Sequence, residues 1–144
     1  MMRLYLVRHA AATEHGTPGY IDDDRPLTQK GRERMLEVAR EFRKSGEVLG
    51  RMVTSPLVRA VQTAEILAWG GGFEGEIEVS RSLVPGASPE DFDRFLSALE
   101  DCKSIAAVGH EPSMSELAQH YLARSGFPAF RKGAICAIDL PRSL

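Results

Sequence analysis

The sequence has little cysteine: two residues in 144, Cys102 and Cys136, far apart and outside any CxxC pair. A disulfide-scaffolded fold is therefore not expected, and the thiols read as reduced and cytosolic. Charge of one sign is missing too, with 18 basic against 20 acidic side chains and a net charge of −2. That balance gives no broad electrostatic reason to bind nucleic acid or an anionic membrane. No apolar run approaches the length of a bilayer crossing. Met1-Met2-Arg3 leads straight into the first apolar stretch, so no signal peptide is expected and the expected location is the cytoplasm. What is present is 43% hydrophobic and 26% charged residues. That composition suits one soluble domain with a real core, expected to span 1–144.

The stretch Arg3 to Ala10 organises the rest. Leu4 to Val7 suits a buried strand, and it stops abruptly at Arg8-His9. A charged pair at the end of a buried strand is poor hydrophobic design, but ligands of open parallel α/β sheets gather at the carboxyl ends of strands. Ala11 to Arg25 is polar and turn-rich and reads as a loop over that strand end. Thr28 is placed to cap a helix carrying Met35, Val38, Ala39 and Phe42 as an apolar stripe, with Gly46 as its stop. A second strand is expected over Leu49 to Thr54. Ser55-Pro56 then predicts a helix start, with serine as the cap and proline at the first helical position. That helix is expected to bury Leu57, Val61, Ala64 and Leu67 or Ala68. It runs to about Trp69, and Gly70-Gly71-Gly72 reads as a flexible connection, since the P-loop Lys-Ser/Thr is absent.

Glu76 to Ser80 alternates like a short strand. Ser88-Pro89-Glu90-Asp91 carries an acidic capping box before the stripe Phe92, Phe95, Leu96 and Leu99. Ser104 to Gly109 is a fully apolar strand ending at His110. The next helix is expected to put Met114, Leu117, Ala118, Tyr121 and Leu122 on one face, with Ser113 and Glu116 at its cap. Gly133 to Leu140 reads as a closing strand. Strands and helices alternate, which predicts a three-layer α/β/α fold with a largely parallel central sheet. In such a sheet Arg8, His9, Arg59 and His110 share one edge. Arg59 is informative by itself, because a cation in the first turn of a helix opposes the macrodipole unless something anionic lies nearby. Two arginines, two histidines and helix N-termini describe a pocket for a phosphoryl group.

Taken together, Leu6-Val7-Arg8-His9-Ala10, Arg25-Pro26-Leu27-Thr28 with Gly31, Thr54-Ser55-Pro56 through Arg59 to Gln62-Thr63-Ala64, and Val108-Gly109-His110-Glu111-Pro112 resemble the histidine phosphatase (phosphoglycerate mutase-like) superfamily. Within it the chain most resembles the SixA-type phosphohistidine phosphatases. The resemblance implies a phosphoglycerate mutase-like fold and a phosphatase working through a phosphohistidine intermediate on His9. It also implies that Arg8, Arg59 and His110 bind the phosphoryl oxygens, with Arg25 near the pocket. The substrate it implies is protein phosphohistidine or a small phosphate ester.

Elementary chemistry agrees with that assignment. A histidine attacks phosphorus through a neutral nitrogen, with its proton held on the other nitrogen by an acceptor. Neighbouring arginines disfavour the imidazolium and neutralise charge on the equatorial oxygens. No metal or other cofactor is expected, since side chains supply the cations. Asp22, Asp23, Asp24, Glu14 and Glu111 are all candidate proton donors, and the sequence does not choose among them. His110-Glu111 is not a zinc motif, because position 114 is Met. His15 and His120 read as surface or packing residues, Lys132 as a surface residue near the last strand, and Trp69, Phe92 and Phe95 as core or hinge packing. The rival readings are a mutase or small-molecule phosphatase of the same superfamily, and a phosphate-recognition module without useful turnover.

Overall fold

The computed structural model describes residues 1–100 and 102–141. Strands are β1 (Met2–Arg8), β2 (Arg51–Thr54), β3 (Ile77–Val79), β4 (Ser104–Gly109) and β5 (Ile135–Leu140). Helices are α1 (Gln29–Lys44), α2 (Val58–Gly71), α3 (Pro89–Ser97) and α4 (Ser113–Leu122). They form one sheet in the order β3-β2-β4-β1-β5. The pairs β2–β3, β2–β4 and β1–β4 are parallel, and β5 alone runs antiparallel, against β1. The expectation of a largely parallel α/β/α sheet holds.

The period-two alternation of the buried strands divides the core in two. Leu4, Leu6, Val53, Ile105 and Ala107 face one side, with Phe92, Leu96, Met114 and Leu117 of α3 and α4. Tyr5, Val7, Met52, Ala106 and Val108 face the other, with Met35, Ala39, Ala64 and Leu67 of α1 and α2. The helix ends follow local chemistry. Thr28 accepts the Gly31 N–H at 2.9 Å at the start of α1, and Gly46, with φ +83°, follows its C-terminal end. Ser88 and Asp91 make the reciprocal capping box.

Several expectations fail for identifiable reasons. The helix after β2 begins at Val58, with Leu57 as its cap residue, so Ser55 is not the cap. Its hydroxyl is engaged elsewhere, as described below. Gly70 and Gly71 belong to α2 and do not form a linker. A Cβ on Gly70 would lie 2.8 Å from Ala39 Cβ and 2.9 Å from Leu36 Cδ1, so this glycine lets α1 and α2 cross closely. Trp69 is 72% exposed and not packed in the core. Leu122 is exposed as well. The cap residue of α4 is Pro112, which offers no side-chain bond, and the Glu111 carboxylate instead takes the first-turn N–H of Ser115 at 2.8 Å.

Candidate active site

The carboxyl ends of β1, β2 and β4 lie side by side in register. Arg8 pairs with Gly109 and Thr54 with Val108. The backbone ladder continues past the strand ends, with His9 N–H donating to Gly109 O and Ser55 N–H to Val108 O, each at 2.9 Å. Adjacent strands therefore deliver His9, Ser55 and His110 to one rim. Their neighbours close the site from below: Thr63, fully buried on α2, donates to the Arg59 carbonyl and accepts the Ala10 N–H. Gln62 Oε1 accepts the Leu27 N–H at 2.8 Å and ties the incoming loop to the same helix.

His9 and His110 face one another with ring centroids 5.2 Å apart. His9 Nδ1 lies 2.7 Å from the Ala10 carbonyl oxygen. A carbonyl only accepts, so Nδ1 carries the proton and Nε2 keeps its lone pair. Burial pushes the His9 pKa down to about 4; the Ala10 contact opposes the shift, and Arg59, Arg8 and Arg25 reinforce it. Burial outweighs the arginines here, whereas the sequence alone pointed to the arginines. His110 is pushed to about 3, by burial first and then by His9 and Arg59. Both rings are neutral at physiological pH.

The arginines are aimed by backbone carbonyls. Arg8 Nη1 donates to Phe130 O at 2.7 Å, and Arg59 Nη1 donates to Asp22 O at 2.9 Å. Among the described residues, the buried side-chain nitrogens or oxygens without a hydrogen-bond partner are Arg8 Nε, Arg59 Nε and His110 Nδ1. Leaving a buried donor unmet costs about 1–3 kcal/mol, more for a charged group. All three such atoms lie on residues that the sequence singled out. A small oxyanion has the oxygens to satisfy them together.

Asp22 is the anion near Arg59. Its carboxylate accepts from His15 Nδ1 and Arg25 Nε, each at 2.8 Å, and approaches Arg59 Nη2 at 3.5 Å. These contacts, led by His15 and then Arg25, hold its carboxyl down to about 2. A group so strongly ionised is a poor proton donor, which counts against the candidacy of Asp22. Glu111 is committed too: its oxygens accept the Ser115 N–H and hydroxyl and the Phe130 N–H. Arg25 braces the loop through Asp22 and the Thr13 carbonyl. Ser55, Gln62 and Thr63 have supporting roles that the sequence left unassigned, although all three lie in the stretch from Thr54 to Ala64 that it singled out. Their signal was polarity at positions the pattern would bury.

The class of protein that this fold and rim define is borne out by comparison. Residues 4–84 match the histidine phosphatase superfamily (branch 1), and the chain belongs to that superfamily, as a phosphatase within it. An uncharacterized protein of Picosynechococcus sp. is 36% identical over 147 residues, covering 92% of this chain and 87% of its own. The phosphohistidine phosphatase SixA of Escherichia coli is 26% identical over 99% of this chain and 88% of its own length. A solved structure of the protein histidine phosphatase SixA with tungstate superposes with a TM-score of 0.90. It is 26% identical and covers 99% of this chain and 90% of that one.

Proposed function

We propose that this chain is a cytoplasmic phosphatase that removes the phosphoryl group from phosphohistidine on a protein, with His9 as the nucleophile. Arg8, Arg59 and His110 bind the phosphoryl oxygens, and Arg25 holds the loop at the pocket edge. The observation that carries the reading is the His9 Nδ1 contact to the Ala10 carbonyl, which leaves Nε2 as a neutral, directed lone pair. The two arginines with unmet buried nitrogens beside it supply positive charge where equatorial oxygens would sit. The likeness to SixA, named for phosphohistidine, supports the substrate class.

In the first half-reaction His9 Nε2 bonds to phosphorus while the bond from phosphorus to the substrate's ring nitrogen breaks. A substrate ring already protonated on its distal nitrogen departs as neutral imidazole. Neither Asp22 nor Glu111 is then required as an acid, which suits a site where both are otherwise committed. In the second half-reaction water attacks phosphorus, the bond to Nε2 breaks, and inorganic phosphate leaves. Positioning and fixed charge provide the catalysis, as is general for phosphoryl transfer.

The test has two arms. Labelled phosphate is trapped on the enzyme by rapid acid-free quenching and mapped, and label on His9 is expected. Turnover is then compared for a phosphohistidine protein, sugar phosphates and a nitrophenyl ester at equal concentration, with the protein substrate expected to lead. Label at another residue, or a sugar phosphate as the best substrate, would refute the reading.

A further inference from the structure

We propose that Ser55 fixes the tautomer of His110, holding its single proton on Nδ1 so that this nitrogen donates to the bound phosphoryl group. The inference rests on the phosphatase reading above for its ligand, but not for the tautomer itself.

Ser55 is fully buried at the end of β2, and its hydroxyl oxygen lies 2.8 Å from His110 Nε2. The same oxygen accepts the Leu57 N–H at 3.2 Å. A serine hydroxyl has one proton and must find an acceptor when buried. Among the described residues, His110 Nε2 is the acceptor within reach, so Ser55 donates and Nε2 accepts. In the opposite arrangement the hydroxyl oxygen would accept twice, and its proton would be left buried with no partner.

The other side of the ring gives the same answer. His110 is only 3% exposed, and its Nδ1 has no protein partner. It belongs to the same set of unmet nitrogens as Arg8 Nε and Arg59 Nε. A lone pair on Nδ1 would repel an anion held by those guanidinium groups, whereas an N–H would complete their donor set. The depressed pKa of His110 means that this proton is its only one at neutral pH, so its location is decided by hydrogen bonding alone. Ser55 is thus a positioning residue that acts through His110.

The experiment uses the full chain labelled with nitrogen-15 in histidine, read by two-bond proton–nitrogen correlation near pH 7. His110 is assigned by comparison with His110→Asn. The expected signature is a pyrrole-type Nδ1 and a pyridine-type Nε2, and inorganic phosphate should perturb the Nδ1 proton. In Ser55→Ala the ring should show mixed tautomers, and inorganic phosphate should bind about tenfold more weakly. Wild-type His110 carrying its proton on Nε2 would overturn the proposal. So would a folded Ser55→Ala variant with unchanged tautomer and phosphate affinity. Should that variant fail to fold, the wild-type spectrum decides alone. None of these readouts needs turnover, so failure here is separable from label mapping to a residue other than His9.

Discussion

The His9 and His110 imidazoles stand 5.2 Å apart, although they are far apart in the sequence and follow two different strands, the neighbouring parallel β1 and β4. Their separation is set by the β1–β4 register, in which His9 N–H donates to the Gly109 carbonyl. Replacing His9 with alanine removes a ring from the rim and no strand residue. We expect His9→Ala to keep the wild-type fold by circular dichroism while phosphate release falls to background.

Arg59 shows site and stability pulling in opposite directions. Burial and the charge of Arg25 both disfavour its guanidinium. Arg59→Met should therefore melt no lower than the wild type, because it removes a buried charge and keeps the aliphatic stem. The same change removes a proposed oxyanion donor, and kcat/KM should drop by about 10²–10³-fold. A melting scan and a Michaelis curve on one preparation check both. A large loss of stability would show the arginine to be structural.

Acid should weaken the fold by forcing charge onto the two buried rim histidines. The folded pKa values of His9 and His110, about 4 and about 3, lie below the ordinary 6.5. Between those values and 6.5 the unfolded chain binds more protons, so stability rises with pH in that window. It is lost as pH falls from 7 toward 4. Urea midpoints at pH 7 and pH 5 should differ in that sense, and His110→Asn should shrink the difference. The proposed nucleophile, His9, stays unprotonated over the same window, so kcat/KM should hold down to about pH 5.

Gly31 is the tightest glycine of the α1 start. A Cβ there would fall 2.2 Å from the Ala11 carbonyl oxygen, a backbone atom with no rotamer to give way. Alanine would gain about 1 kcal/mol in helix propensity. The overlap costs more, in the range of about 1–3 kcal/mol typical of overpacking. Gly31→Ala should therefore unfold at lower urea, and the Thr28 N–H bond to the Ala11 carbonyl should exchange faster.

Much of this was legible from residue order. β4 and β1 announced themselves as apolar runs ending in histidine, and Ser88 to Asp91 spelled out a cap that the structure forms. Arg8, His9 and His110 stood out because polar residues at the ends of buried strands violate the core pattern, and Arg59 because a cation in the first turn of a helix opposes the macrodipole. The errors occur where meaning depends on a partner distant in sequence. Ser55 looks like a helix cap until His110 is beside it. Gly70 looks like a hinge until Ala39 is packed on it, and Trp69 looks like core until α2 is seen to turn it outward. Asp22 could not be ruled weaker as an acid until His15 and Arg25 were found on its carboxylate.

The sheet order β3-β2-β4-β1-β5 places β4, among the later strands to be synthesised, between two that precede it. The chain must leave a gap between β1 and β2 and fill it only once residues 104–109 have been made. Until that strand goes in, β1 and β2 share no backbone ladder and His110, which follows β4, is missing from the rim. Phosphatase activity in a nascent or refolding population would therefore report completion of the sheet, rather than collapse of either helical layer.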